Sequence, residues 1–412
     1  MSVGIDDFGA LFVKYLPGVI ESLNNSCPAR QIPLGNLKWE GDNLQKSVHV
    51  KRNVGLTMTV DGGAIPVSGK QTYVFAKALR RFLVGSVKVT DGILATAATT
   101  ANAAISVTES ELTGLLDNMR TLENFFWTRD GSGMVANCGV DVTATAAGDT
   151  FTVDDARGLW DGQDYEVRTS GTSTIVVASV QVRSTARTPT AAGEFTVTCE
   201  GSMTGAAAGD DIYWKTGNMS AYNRAITGLD KLIDDATGTF QNVNVTTYPR
   251  YTSPVLGNSG TKRPLTPTLF RQLLAMIKQE SGNDASSDLT VLTSVWDMLN
   301  HEELYEGELR LSPTDRVGGL DIPTFQSSFG RFSVMTDPHA PYGTMFFIDR
   351  SQITYARQKE LSWRGGDKGI FQRDDNNLGW SATALSIGEL FIEDRRRCGK
   401  IEDLKVNAKT AY

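Results

Sequence analysis

The residues best able to do chemistry in this chain are histidines, cysteines and paired aspartates. His49, His301 and His339 are the only imidazoles among the 412 residues. The segment His301-Glu302-Glu303 lacks the second histidine at i+4 that would place two zinc ligands on one helix face. Because a metal site also requires supporting partners around its ligands, we interpret each histidine as an ordinary surface or strand residue. We therefore expect no metal site.

The cysteines and aspartates are equally poor in recognisable sites. Cys27, Cys138, Cys199 and Cys398 are too far apart for a CxxC zinc or redox motif, and free thiols in a reducing compartment are the preferred interpretation. The aspartate pairs lack the alternating acidic spacing and closing glutamate of an EF-hand loop. We interpret them as helix ends and solvated turns; they lie at 154–155, 210–211, 234–235 and 374–375.

Phosphate-binding and nucleophile motifs are also missing. The run from Gly63 to Gly69-Lys70-Gln71 has five residues between its glycines where a Walker loop has four, and Gln71 stands where Ser or Thr should reach magnesium. No GxSxG segment is present to expose a serine nucleophile. The sequence therefore predicts a protein that is not an enzyme, with no catalytic, cofactor-binding or metal residues.

Charge argues against tight nucleic-acid binding. Forty Lys and Arg against forty-seven Asp and Glu give a net charge of −7, whereas a protein that grips phosphates should show a basic face. The concentrated basic spots are Arg80-Arg81 and Arg395-Arg396-Arg397. For such short runs we favour a solvated edge or an ion pair between subunits over phosphate contact.

Length and hydropathy indicate a multidomain protein that does not cross a membrane. At roughly 150 residues per domain, 412 residues predict two or three domains. The apolar runs are far shorter than the ~18 residues of a membrane span. Asp6 and Asp7 stand where a signal peptide would carry basic residues, so no export signal is expected.

The first ninety residues predict segments that cannot cover their own apolar surface. Residues 1–38 place apolar side chains at helical spacing but are interrupted by prolines, which predicts an arm lying on its own subunit or on a neighbour. From Ser47 to Val89 the pattern predicts a long hairpin, with a strand at Leu56–Val60 and a turn at Asp61-Gly62-Gly63. Because a lone hairpin is marginally stable, it should dock on another surface.

Helical signals are strong at two places. Thr108 and Glu111 form a capping box that predicts a helix over 109–127, and Thr266-Pro267 with Gly282 brackets a second helix. Weaker patterns predict helices over 222–233 and 294–303. The helix bracketed by Thr266 and Gly282 and the helix over 294–303 alternate with strands in the last third of the chain, as in an α/β domain.

Residues 139–217 differ in composition and predict a separate small β module. They are rich in Thr, Val, Ala and Gly, with alternating strands such as Phe151-Thr-Val153. A small barrel or sandwich inserted in the parent domain fits this pattern. Trp160 and Trp214 would be sugar-binding platforms in a carbohydrate-binding protein, but we favour core or interface positions.

In this order the segments resemble the major capsid proteins of tailed bacteriophages, with the Hong Kong 97-like fold, over nearly the full length. The arm, the hairpin and the helix from Thr108 to Trp127 resemble that family's first elements. Later segments resemble its connector and late strands: GLDKLIDDATGTFQNVNVTTYPRYTSPVL from Gly228, GGLDIPTFQSSFGRFSVMTDPHAP from Gly318, MFFIDRSQITYARQKELSW from Met345 and GELFIEDR from Gly388.

The resemblance implies an α+β fold with an N-terminal arm, an extended β-hairpin loop, a spine helix with a peripheral sheet, an axial α/β domain and an inserted small all-β domain. The expected divisions are the arm at 1–38, the extended loop at 39–95, the peripheral domain at 96–138 and 218–250, the inserted domain at 139–217, the axial domain at 251–345, and closing strands at 346–412.

The resemblance also implies function and partners. It implies a structural subunit that self-assembles through hexamers and pentamers into an icosahedral shell around double-stranded DNA, formed in the bacterial cytoplasm, with scaffolding, portal and decoration proteins as possible partners. Lys70 lies on the hairpin, but no matching asparagine and glutamate can be identified, so noncovalent assembly is expected. The alternatives are an encapsulin-type shell around an enzyme cargo and a carbohydrate-binding adhesin.

Overall fold

The computed structural model describes residues 26–33, 35–39, 41, 43–90, 101–139, 150–185, 194–282, 288–305, 324–327, 330–364, 370–373 and 379–405. The helices are α1 (Ala101–Trp127), α2 (Leu229–Leu232), α3 (Pro267–Ser281) and α4 (Val295–Tyr305). The first strands are β1 (Gly35–Lys38), β2 (Asn43–Lys51), β3 (Thr72–Leu79), β4 (Arg81–Thr90), β5 (Met134–Asn137), β6 (Thr150–Val153), β7 (Asp164–Arg168), β8 (Ile175–Thr185), β9 (Phe195–Glu200), β10 (Asp211–Thr216) and β11 (Met219–Ser220). The remaining strands are β12 (Thr239–Phe240), β13 (Val243–Asn244), β14 (Val255–Leu256), β15 (Asp288–Thr293), β16 (Thr324–Ser327), β17 (Gly330–Thr336), β18 (Met345–Ile348), β19 (Ile353–Trp363), β20 (Phe371–Arg373), β21 (Gly379–Ile392) and β22 (Gly399–Ile401).

Helix α1 is longer than its capping box predicts. It starts at Ala101, so Thr108 lies inside the helix and the predicted start was wrong. Alanine has the highest helix propensity, and Ala101, Ala103 and Ala104 extend the helix towards its N-terminus. The predicted end at Trp127 is confirmed. None of the described helices is long and apolar enough to span a membrane.

Helix α1 lies against a five-stranded sheet. The strand order is β1-β19-β21-β20, with β4 pairing antiparallel to β21 along its whole length. Gly85 of β4 permits the close approach, since a Cβ there would lie 2.7 Å from Sδ of Met119 on the helix. At the end of the helix, the rings of Trp127 and Tyr355 pack edge to face at 4.8 Å and join the helix to β19.

The hairpin expected over Ser47–Val89 is shorter than predicted. Strands β2 and β3 pair antiparallel from Asn43↔Leu79 to Lys51↔Thr72. The run that follows, β4, belongs to the five-stranded sheet instead, and the expected strand at Leu56–Val60 has no ladder. We call residues 43–79 the projecting loop, its two paired strands the ribbon, and residues 52–71 its tip.

A six-stranded sheet with helices α3 and α4 forms the last third of the chain. Its order is β14-β22-β18-β15-β17-β16, with both parallel and antiparallel neighbours. Helix α3 has the predicted bounds, with Thr266 extended as N-cap and Gly282 after its end. Its apolar face packs on β15, β17 and β18 in one core. The predicted helix at 294–303 is confirmed as α4, but only α2 forms of the helix expected over 222–233.

Strands between Met134 and Ser220 close into a small barrel. Around it the order is β6-β9-β8-β7-β10-β5. A bridge between Cys138, just after β5, and Val153 of β6 completes the ring. The interior is apolar, with Val153, Tyr165 and Val197 fully buried. We call this unit the barrel.

Candidate assembly surface

The tip of the projecting loop carries apolar side chains that its own subunit does not cover. Six of them are 80% or more exposed: Val54, Leu56, Met58, Val60, Ile65 and Val67. Large apolar side chains are normally buried, and a contiguous exposed set marks an interaction surface. The tip therefore has the composition of an interface and the exposure of a free surface.

Glycines let the two halves of the tip run close together. A Cβ at Gly55 would lie 2.4 Å from the backbone nitrogen of Gly69, so a side chain at either position would force the halves apart. At the far end Gly63 N donates to Val60 O at 2.9 Å and closes the turn expected from the sequence. The tip is thus a narrow finger.

The ribbon has one face on the body and one face in solvent. Leu44, Val48 and Val74 pack against the core that α1 and the five-stranded sheet share. On the opposite face of β3, Tyr73, Phe75 and Leu79 are each more than half exposed. Anchoring on one side leaves the second apolar side available for another molecule.

At the base of the projecting loop, a buried carboxyl group meets an arginine. Arg81 Nε lies 3.4 Å from Glu389 Oε2, and Arg81 Nη1 donates to Asn223 O at 2.8 Å. Burial raises the pKa of Glu389 to about 8, and the nearby Arg81 and the Thr227 amide only partly oppose it. Beside this pair lies a cleft of about 840 Å³, lined by both acidic and basic residues.

The described part of the N-terminal arm lies on its own subunit. Ala29 N donates to Asp337 Oδ2 at 2.9 Å, and Arg30 pairs with Glu123 at 3.0 Å. Strand β1 then pairs parallel to β19. Of the two locations expected for the arm, residues 26–33 and 35–38 therefore lie on the subunit's own body, and residues 1–25 and 34 lie outside the described residues.

A buried ion cluster joins the barrel to the rest of the subunit. Asp155 of the barrel accepts bonds from Arg129, just after α1, and from Arg157. Arg157 also lies 3.6 Å from the centre of the Tyr342 ring and donates to Ala340 O. Burial alone would raise the pKa of Asp155, but the charges of Arg157 and Arg129 outweigh it and hold that pKa below its usual range. We call this cluster the joint.

The histidines do not gather into a site. His49 is exposed on β2, as expected, whereas His301 on α4 and His339 in a loop are buried, so the surface-or-strand interpretation was wrong for both. Burial lowers the pKa of His301 to about 4 and also lowers that of His339. Among the described residues no group of three or more His, Cys, Asp or Glu is placed to hold a metal ion.

The cysteines and aspartates occupy mostly buried positions. None of the four cysteines forms a disulfide; Cys27 is half-buried and the others are buried. Solvated turns were the wrong interpretation for Asp155, Asp210 and Asp211, which are at most 7% exposed. Asp234 pairs with Lys231 and Lys400, while the pair at 374–375 lies outside the described residues.

The basic spots pair within the subunit rather than forming a basic face. Arg395 is buried, so a solvated edge was wrong for it. Arg396 pairs with Asp394 at 2.8 Å, and Arg397 lies 3.8 Å from Asp349.

Lys70, the lysine noted on the hairpin, is exposed at the tip.

Trp160 and Trp214 pack edge to face with ring centres 4.8 Å apart, and both are half-buried. Tyr165 packs on Trp214 in the same way at 5.7 Å. This packing favours the core interpretation over a flat sugar platform, which would need an open ring face.

Sequence reasoning located the projecting loop but missed its anchoring residues. The apolar alternation at Leu56–Val60 was visible, yet its lack of a partner strand was not. Nothing in the sequence links Arg81 to Glu389, which lie 308 positions apart in the chain. Only the pairing of β4 with β21 brings them together.

Comparison with known proteins finds a family match for part of the chain and similar folds among solved capsid structures. Residues 203–368 match the model of the SU10 major capsid protein family. No curated protein matches the chain significantly. The solved capsid of cyanophage A-1(L) is similar over 95% of this chain and 96% of that chain, with a TM-score of 0.59 at 13% identity. The capsid of the native GTA particle is similar over 98% of this chain and 100% of that chain, with a TM-score of 0.51 at 9% identity.

The SrpI encapsulin of Synechococcus elongatus PCC 7942 is similar over 98% of each chain, at 9% identity and a TM-score of 0.46, which is too weak to carry an argument. The first two structures establish an α+β capsid fold. The family match covers the last two strands of the barrel region, β10 and β11, and most of the six-stranded sheet. The chain therefore has a fold similar to that of phage capsid structures, and residues 203–368 match a major capsid protein family.

Proposed function

We propose that this chain is a structural capsid protein of the tailed-phage type, which assembles with copies of itself into hexamers and pentamers that close into an icosahedral shell around double-stranded DNA. The observation that carries the proposal is the tip, where six apolar side chains are 80% or more exposed. In a shell the neighbouring copy covers them. Contacts between two different patches of one polypeptide generate rings, and further edges allow rings to close.

The energy available at the tip is sufficient for association. Burying a Val, Leu, Ile or Met side chain contributes about 1.5–3 kcal/mol. Even after the cost of immobilising the partners, several such side chains per copy, repeated around a ring, favour the assembled state. The net charge of −7 also suits a container, because a strongly basic wall would hold DNA and oppose its release.

The finer architecture belongs to the same proposal. Residues 1–38 act as the arm, 96–138 and 218–250 as the peripheral domain, 251–345 as the axial domain, and 346–412 as closing strands. The extended loop, expected over 39–95, is the projecting loop of residues 43–79, because β4 pairs with β21 in the five-stranded sheet. Residues 139–217 form an inserted all-β domain, and the closed ring of strands described above supports its independence. Assembly takes place in the bacterial cytoplasm, with scaffolding, portal and decoration proteins as further partners.

The test replaces three tip side chains at once, in the variant Leu56→Ser, Met58→Ser, Val60→Ser. We expect wild-type protein to form closed particles in negative-stain images and the variant to remain as free subunits or small oligomers. Its melting temperature as a subunit should be unchanged, since these side chains lie 80% or more exposed in the subunit.

The matched control changes exposed apolar residues on the barrel, in the variant Ile175→Ser, Met219→Ser. These side chains are 48% and 67% exposed and belong to strands β8 and β11 rather than to the projecting loop. The control should form particles like the wild type. Normal particles from the tip variant would contradict the proposal.

The contents of purified particles separate the two kinds of container. Double-stranded DNA of genome length in particles from infected cells supports the virion. A single copurifying enzyme with no genome-length DNA supports the encapsulin-type alternative.

A further inference from the structure

We propose that the hairpin β12–β13 is a brace that sets the direction of the projecting loop, and that Arg395 is the positioning residue that holds the brace. This inference rests on the proposed function, because the direction of the loop matters when a neighbouring copy must receive it. The brace comprises residues Thr239–Asn244, and its two-residue turn is Gln241-Asn242.

The brace bonds to the edge of β3 that does not face β2. Lys77 N donates to Gln241 O at 2.8 Å, and Asn242 Nδ2 donates to Phe75 O at 3.2 Å. These bonds occupy backbone groups that a two-stranded ribbon would otherwise leave open. Ala76 and Ala78 are buried in the same core as Phe240 and Val243 of the brace. Polar and apolar contacts therefore hold the ribbon at one angle.

The turn of the brace needs an unusual backbone. Gln241 and Asn242 have φ of 45° and 66°. Two consecutive positive φ angles are typical of the type I′ turn, the tightest connection for a twisted hairpin. Asparagine adopts this region more readily than most residues, and glutamine does so at a cost. That conformation points Gln241 O at the Lys77 amide, so the contact with β3 depends on the turn type.

Arg395 holds the chain on both sides of the brace. It is 2% exposed and donates to four carbonyl oxygens: Leu232 at 2.9 Å, Tyr251 at 3.1 Å, Lys231 at 3.3 Å and Asp234 at 2.6 Å. Its guanidinium also lies 4.2 Å from the centre of the Phe240 ring. The segments before and after the brace are thus bonded to one side chain.

The chemistry of Arg395 favours positioning over ion pairing. In the described part of the chain no carboxylate forms an ion pair with it, and all its side-chain hydrogen bonds end on carbonyls. A buried cation is costly unless its donors are satisfied. The five N–H donors of an arginine can satisfy four carbonyls from one point, which an ammonium group with three donors cannot do.

The test measures hydrogen–deuterium exchange of unassembled full-length subunits, together with particle size after assembly. Asn242→Gly keeps positive φ and removes one side-chain bond, whereas Asn242→Val disfavours the turn as well. We expect Asn242→Val to speed exchange over residues 72–79 by about fivefold, as for one lost hydrogen bond of about 1 kcal/mol. Particles of Asn242→Val should vary in size. For Asn242→Gly, both the exchange rate over residues 72–79 and the spread of particle sizes should lie between those of Asn242→Val and the wild type.

Arg395→Met should speed exchange over both 229–251 and 72–79, while the control Arg396→Met, next in the chain and 37% exposed, should change neither. Should Arg395→Met fail to fold, Arg395→Lys should fold and show faster exchange over the same two segments. An Asn242→Val subunit with wild-type exchange over 72–79 and particles of one size would overturn the brace. Wild-type subunits that never assemble would refute the proposed function instead, and exchange would still report on the brace.

Discussion

The projecting loop and the barrel are both built from antiparallel strands, but they differ in whether the strands close into a ring and in whether the apolar side chains are buried. The barrel closes on itself through the Cys138–Val153 bridge and buries its apolar side chains inside. The projecting loop stays open beyond Lys51 and turns Leu56, Met58 and Ile65 to solvent. The barrel covers its own apolar side chains, whereas the projecting loop leaves those of its tip uncovered by its own chain.

Under the proposed function, this difference separates a part of the subunit that stabilises the fold from a part that serves assembly. A core side chain contributes to the folding of its own chain, while an exposed apolar side chain contributes when a neighbour covers it. The same contrast holds for their attachments. The barrel joins the body through the buried Asp155, and the ribbon carries the exposed pair Lys46–Glu393. Substitutions in the two regions should therefore separate folding from assembly.

The largest expected effect is loss of a barrel core side chain. Phe151 is 4% exposed, so Phe151→Ala should lower the free energy of unfolding by about 3–5 kcal/mol. Leu56 is 83% exposed, and Leu56→Ala should change the free energy of unfolding by no more than about 0.5 kcal/mol. Urea unfolding of unassembled subunits measures both. Equal losses of unfolding free energy in Phe151→Ala and Leu56→Ala would contradict the difference between the barrel and the projecting loop.

The next effect is at the joint. Asp155→Asn leaves the guanidinium groups of Arg129 and Arg157 buried without their carboxylate, and we expect a loss of about 3 kcal/mol. The control is Asp117→Asn, which breaks the exposed pair with Arg120 and should cost less than about 1 kcal/mol. Thermal unfolding compares the two. A loss below 1 kcal/mol at Asp155 would mean that the cluster does not hold the barrel.

A pH effect of intermediate size should arise at Glu389. Its folded pKa is about 8 against an ordinary 4.5, so between these values the folded state keeps a proton that the unfolded state has released. Stability should then fall as pH rises through this window, by at most about 1.4 kcal/mol per pH unit. Glu389→Gln should flatten the slope in urea unfolding between pH 5 and pH 8. An unchanged slope would refute this assignment.

The joint should respond to pH with the opposite sign. The pKa of Asp155 is lowered, so its contribution is present above its ordinary value of 3.8 and is lost as pH falls below it. Wild-type and Asp155→Asn subunits should therefore converge in stability as the solution becomes more acidic.

The smallest effect should come from the ribbon's surface ion pair. Lys46 and Glu393 are 49% and 41% exposed, and Lys46→Ala should cost less than about 1 kcal/mol at low salt and less still at high salt. A loss above 2 kcal/mol would show that the ribbon is fastened as firmly as the barrel. Thermal unfolding of the wild type and Lys46→Ala at two salt concentrations measures this loss of stability.

Local signals in the sequence predicted the elements that depend on local physics. Thr266, Pro267 and Gly282 bracket α3, because caps and a proline at the first turn act within a few residues. The turn at Asp61-Gly62 and the exposed hairpin were likewise predicted from nearby residues. The strand at Met345–Ile348 lies in the segment that the resemblance assigned to the late strands.

Elements that depend on distant partners were missed. Of the helical spacing from Tyr222 to Ile233, only α2 forms a helix, and Gly228 before it is extended. Backbone carbonyls at the end of α1 lie against Gly228, where a Cβ would be 2.3 Å from Phe126 O. Arg395 looked like a surface residue in a basic run, yet the carbonyls it satisfies are about 150 positions away. The candidate surface was predictable as a hairpin, while its brace and anchors were not.

The barrel leaves and rejoins the rest of the chain at one place. Strands β5 and β11 pair end to end along the same strand, β10, and Asn223 N donates to Ser132 O at 2.6 Å across the gap between them. A unit with such neighbouring ends is a natural cassette. A foreign domain with equally close termini could be grafted between Ser132 and Asn223, and would decorate every copy without separating the strands on either side.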